Sequence, residues 1–200
     1  MFDDLRAPSV LAFHDAMLAI EDWAKSGLVH HPTGCWRWIE ANHRCNCLLW
    51  SEEDLARRRN VDDAEIAANK RAIDGFNQRR NDAIERIDEE ILARLDAVVP
   101  SDDAWHNSET AGSIVDRLSI ISLRIFHMRA QLARQDATPG HLGRCADRLE
   151  LLLVQRADLA RCLSALLDAA AEGRAFYRVY RQFKMYNDPS FRSQLRPTRD

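Results

Sequence analysis

Proline spacing is the feature that most limits what this chain can become. Six prolines stand at positions 8, 32, 100, 139, 189 and 197. A proline lacks the backbone donor and clashes with the preceding turn, so each marks the end of a helix rather than its middle. Apolar residues recur at helical intervals between them, and no run alternates β-branched residues between hairpin turns. The chain therefore reads as all-α, a single domain over residues 1–200 built as a bundle of about five to six helices, with 187–200 an irregular tail.

The punctuation places the segments. A first helix is expected from Pro8 to about Lys25, a second from about Trp36 to Arg59, and a third from about Asp62 to Val98, where Asp62 and Glu65 are spaced as a capping box. Ser51-Glu52-Glu53-Asp54 has similar spacing and could restart the second. A fourth helix is expected from Ser108 to about Gln135. The fifth runs from Pro139 to Glu172, opened by Thr138-Pro139, a cap residue followed by proline at the first helical position. An aromatic helix from Arg174 to about Met185 closes the series. The fifth carries Leu142, Cys145, Leu149, Leu152, Leu159, Leu163 and Leu166 in one seam, which reads either as an internal contact or as a homodimer interface. Gly75 lies inside the third helix at a cost of about 1 kcal/mol relative to alanine, and reads as a close approach or as a tolerated glycine.

Charge and composition remove several functions. A formal net charge of -3 takes away the electrostatic basis for nucleic-acid binding. The aromatic residues among the cations of Arg174 to Arg199 point to packing rather than phosphate contact. No run is long and apolar enough for a membrane span and Met1 to Pro8 has no signal-peptide core, so a cytoplasmic protein is expected. Five cysteines without a CxxC pair argue against a disulfide framework or a zinc finger.

Three helices carry an unusual polarity pattern. At about 100° per residue, Lys70, Ile73, Asp74, Asn77, Arg80, Asn81, Ile84 and Asp88 share one stripe of the third. An ordinary amphipathic helix separates such groups. The second helix mixes Trp36, His43, Asn46, Trp50, Glu53, Asp54 and Arg57 in the same way, and the fourth aligns Glu109, Asp116, Arg124 and His127. A polar line can be a solvated face, an interhelical ion network or the lining of a wet cleft.

If the three lines meet, the chemistry is that of a small anionic or phosphorylated substrate. Asp74, Asp116 and Glu109 would act as acid–base groups, and His127 or His43 would carry protons. Arg57, Arg80, Arg117, Arg124 and Lys70 would hold the anion, with Asn77, Asn81 and Trp50 beside them. Glu53, Asp54, Asp74 and Asp116 form the candidate set for a divalent metal. Two local spacings suggest other metal chemistries: Glu40 and His43 form an ExxH pair without the second pair a di-iron bundle needs, and Glu85 and Asp88 form an ExxD pair. The opposing reading is a non-catalytic helical accessory protein whose polar networks are structural.

The ordered motifs HRCNCLLWSEEDLARR, NKRAIDGFNQRRNDAIERID, ETAGSIVDRLSIISLRIFHM and QFKMYNDPSF resemble the bacterial DUF4254 family over nearly the whole chain. Ser51 stands where that family often has histidine, and Ala111 where it often has proline. The resemblance implies no activity. It implies an association with glycosyltransferases and cell-surface polysaccharides, and hence a nucleotide sugar or glycan intermediate as ligand, or a glycosyltransferase as partner. It also adds Lys184, Tyr186, Asn187 and Asp188 as a cover for one end of the bundle.

Overall fold

A computed structural model describes residues 1–181. Its α-helices are α1 (Ala7–Leu18), α2 (Trp23–Ser26), α3 (Gly34–Ala56), α4 (Asp63–Arg94), α5 (Ala111–Leu132) and α6 (Pro139–Ala171), and strands β1 (Trp105–His106) and β2 (Ala175–Phe176) pair in parallel. The chain is thus all-α apart from one short bridge. The expected second, third, fourth and fifth helices are α3, α4, α5 and α6.

Local chemistry sets the helix starts. The side chains of Asp62, Thr110 and Thr138 accept from the backbone N–H groups of Glu65, Ser113 and His141, satisfying donors that the first turn leaves open. Ser51 restarts nothing: its hydroxyl donates back to the Cys47 carbonyl at 3.3 Å and α3 runs straight through.

Two expected elements are corrected. The first helix stops at Leu18, because Asp22 adopts a left-handed φ of 52° and Trp23 folds back edge-on against Phe13 at 6.3 Å. The expected helix from Arg174 is absent over residues 174–181, and its remaining residues lie outside those described. Gly173 takes φ 70°, and Arg174 and Phe176 then give their carbonyls to the amides of Trp105 and Asn107 at 3.1 and 2.8 Å. Captured by a loop from elsewhere in the chain, this backbone cannot close helical turns. The tail 187–200 and the expected covering residues Lys184 to Asp188 also lie outside the described residues.

α3 and α4 form one hairpin and α5 and α6 another, with α1 packed across α5 and α6. Ion pairs of Arg6, the N-cap residue of α1, with Asp168 and of Asp15 with Arg156 tie α1 to α6. The leucine seam is internal: Cys145, Leu159, Leu163 and Leu166 are buried, and Leu149 and Leu152 pack on the same core. A homodimer therefore loses the seam as its basis.

Within the helices, the glycine that carries a close approach is Gly112, not Gly75. A Cβ at Gly112 would lie 2.5 Å from the Ile84 carbonyl oxygen, whereas one at Gly75 would meet nothing within 4 Å. Here α5 crosses α4, and the Gly112 N–H donates to the buried Asp88 carboxylate at 2.7 Å. Burial pushes the Asp88 pKa up to about 6, with the Thr110 hydroxyl, the Gly112 N–H and Tyr177 pulling it the other way.

Candidate functional site

Asp116, Ser119 and Ser122 follow one another at three-residue spacing on α5 and all are buried. Polar groups inside a bundle are expensive unless partnered, and here α3 supplies partners. The Asp116 Oδ1 accepts from Asn42 Nδ2 at 2.8 Å and from Asn46 Nδ2 at 2.9 Å. Asn46 Nδ2 also reaches the Ser119 hydroxyl at 3.0 Å, which hydrogen-bonds His43 Nδ1 at 2.7 Å. The His43 ring stacks on His14 at 4.4 Å, and beyond it Ser122 faces the Arg156 guanidinium at 3.5 Å. From α4 comes Arg80, its Nε 3.8 Å from Asp116 Oδ1.

Burial sets the protonation of this interior. His43 has its pKa pushed down to about 3 by desolvation, and His14 is held well below the usual histidine range by desolvation and then by the charges of His43 and Arg156. Both imidazoles are neutral at pH 7. His43 is fully enclosed and occupied with Ser119, so its place is in the network and not against a substrate.

Where the network meets solvent, a cleft of about 270 Å³ opens between α3, α4 and α5. Its polar lining is Asn46, Glu53 and Asp54 from α3, Arg57 at its C-cap, Arg80 from α4 and Arg124 from α5, with the Trp50 indole as an aromatic wall. Trp50 lies flat on His127 at 4.2 Å and 4°. Burial lowers the His127 pKa while the Asp54 charge pulls it back up. Arg57 bridges Glu53 at 3.2 Å and Asp54 at 3.1 Å. Arg80 is left incomplete, because its Nε is buried with no acceptor in hydrogen-bonding range.

The structure thus brings Trp50, Glu53, Asp54, Arg57, Arg80 and Arg124 together, with Asp116 behind Arg80 and His127 behind Trp50. Others do not join. Lys70 and Asp74 pair with each other at 3.0 Å on the exposed first half of α4, where only Asn69 and Ile73 are buried. Glu109 and Arg117 pair at 2.8 Å beside the start of α5. Asn77 is half-buried and Asn81 is buried, and neither lines the cleft.

The metal set is likewise corrected. Glu53 and Asp54 hold Arg57, Asp74 holds Lys70, and Asp116 holds two amides; among the described residues no three His, Cys, Asp or Glu side chains are placed to bind one ion. The ExxH pair divides, since Glu40 accepts from the backbone amides of His30 and His31 at 3.0 and 2.8 Å. The ExxD pair divides too, Asp88 being spent on Gly112.

Asn42, Ser119, Ser122, His14 and Arg156 escape the polar lines read from the sequence. The available signal was the two serines set among Leu118, Ile121, Leu123 and Ile125, which mark a hydroxyl ladder on an otherwise aliphatic face. Ser51 and Ala111 take bland roles, the first bonded back to its own helix and the second buried in the first turn of α5.

The chain belongs to the DUF4254 family, described as a protein of unknown function, whose sequence profile matches residues 36–179. That span contains α4, α5, α6 and nearly all of α3, and so every residue that lines the cleft. Neither the curated proteins nor the solved structures gave a match.

Proposed function

We propose that this DUF4254 protein binds a small anionic or phosphorylated molecule in the cleft between α3, α4 and α5 and acts on it by acid–base chemistry. One observation carries the reading: Arg80 lines the cleft with a buried Nε that has no acceptor. An unsatisfied buried donor is costly, and a ligand oxygen would supply the missing partner as a charge-assisted hydrogen bond. Arg124 adds positive charge to the same walls, while the charge of Arg57 is taken up by Glu53 and Asp54, and Trp50 offers a flat face to a sugar or heterocycle. Asp116 is the acid–base group in this proposal, oriented by two amide donors and faced by Arg80. A nucleotide sugar or glycan intermediate is the ligand class that the family resemblance favours.

The test is calorimetric titration with inorganic pyrophosphate, sugar phosphates and nucleotide sugars. Arg80→Gln and Arg124→Ala are each expected to weaken binding roughly tenfold or more, since a hydrogen bond to a charged group is worth about 1.5–3 kcal/mol. Binding unchanged in both variants would place the ligand elsewhere. The accessory-protein reading is favoured by a different observation, the mutual satisfaction of Asn42, Asn46, Asp116, Ser119 and His43 without any ligand. It prevails if no anion binds and Asp116→Asn alters stability alone.

A further inference from the structure

A second concavity, of about 470 Å³, lies along the outer side of the α3–α4 hairpin. Its floor is apolar, with Trp38, Ala41 and Leu48 on α3 facing Phe76 and Ala83 on α4. That volume falls within the usual range of small-molecule sites. Three arginines border it, and they differ in how far they are already engaged.

Arg44 is committed. Its Nη1 donates to the carbonyls of Trp23 and Ala24 at 2.9 and 3.1 Å, and its Nη2 bonds the Leu28 carbonyl and Glu40, so it clamps α2 and the loop that follows it onto α3. Glu40 is thereby neutralised. Arg37 and Arg79 are of another kind. Each guanidinium lies over an aromatic ring of the groove, Arg37 over Trp38 at 4.8 Å and Arg79 over Phe76 at 4.5 Å, and neither has a carboxylate partner among the described residues. Asp82, the remaining carboxylate of the lining, takes its hydrogen bond from Gln78 at 2.8 Å. Cations laid along rings at the edge of an apolar floor keep their planar donor edges available to an anion.

We propose that this groove is a binding site for a single-chain amphiphilic anion, its apolar body on the Trp38–Phe76 floor and its carboxylate or phosphate held by Arg37 and Arg79. The site is separate from the cleft of Arg80 and does not depend on the function proposed for it. The apolar floor of Trp38, Phe76 and Leu48 selects the apolar body. Among the described residues, the guanidiniums of Arg37 and Arg79, neither in an ion pair, outnumber the single unpaired carboxylate of Asp82 and select the charge.

The experiment titrates the full chain with decanoate, decyl phosphate and decanol below their micellar concentrations, reading heat and tryptophan fluorescence. Both anions are expected to bind at least tenfold more tightly than decanol. Arg37→Ala and Arg79→Ala should each weaken the anions about tenfold while leaving decanol unchanged, a pattern that loss of fold would not produce. Equal affinity for anion and alcohol, or undiminished binding in the double variant, would overturn the proposal. So would association only with anionic phospholipid vesicles, which would make this face a membrane surface contact instead.

Discussion

Asp88 gives the most direct check on how this interior is built, because its titration falls in an accessible pH window. Its carboxyl has a pKa of about 6 against 3.8 for an unburied aspartate. The folded state therefore binds the proton more tightly than the unfolded one. The stabilisation from that proton is fully present below pH 3.8 and is lost as pH rises through about 6. At roughly 1.36 kcal/mol per unit the full difference is about 3 kcal/mol, of which about 1.4 kcal/mol falls between about pH 5 and pH 7.5. Other groups titrate in that window, above all His14 and His43, whose lowered pKa values make acid destabilising. A variant cycle subtracts them. Asp88→Asn keeps an oxygen to accept from the Gly112 N–H but cannot ionise. Urea unfolding of both proteins at several pH values should show the stability of Asp88→Asn relative to wild type rising by about 1.4 kcal/mol from pH 5 to pH 7.5. A constant difference across the window would refute the reasoning and show that Asp88 is not desolvated as its burial implies.

The two glycines of the α4–α5 region make a paired prediction. Gly75→Ala should raise stability by about 0.8–1 kcal/mol, since the added methyl meets nothing and alanine is the better helix former. Gly112→Ala should lower it by about 1–3 kcal/mol, the cost of overpacking, because the new carbon meets the Ile84 carbonyl and the Asp88 carboxylate. Thermal and urea unfolding of the two variants side by side decide it, and effects of the same sign would mean that the helix crossing is misplaced.

Much of the fold was legible because it is local. Asp62 and Thr138 announce helix starts through side chains that reach only three residues onward, the start expected at Ser108 moves to Thr110 two residues later, and the proline positions exclude helix interiors. The site was half legible, for a different reason. Periodicity fixes which residues share a stripe but not how far along the stripe a neighbour reaches. α5 covers α4 at Ile84, Asp88 and Arg80, so Arg80 enters the cleft while Lys70 and Asp74, on the same stripe, stay in water. Gly75 and Gly112 divide in the same way. The extended backbone after Gly173 was illegible because its hydrogen bonds run to Trp105 and Asn107, far away in sequence.

The buried network and the cleft are best understood as one object with two unlike ends. At one end His14 has neither ring nitrogen partnered, yet it is fully enclosed, stacked on His43 and walled by Phe13. Burial keeps the ring neutral, which avoids the cost of an enclosed charge, and its consequence is sensitivity to acid. At the other end the deficit falls on Arg80, a guanidinium that cannot shed its charge at any pH the fold survives. Its buried Nε has no hydrogen-bond acceptor among the described residues. Asp116 stands 3.8 Å away, its Oδ1 accepting from Asn42 and Asn46 and lying beyond hydrogen-bond range of Arg80 Nε. The two ends thus answer burial differently: His14 gives up its charge, whereas Arg80 keeps its own where it borders the cleft, and the proposal of anion binding rests on that difference.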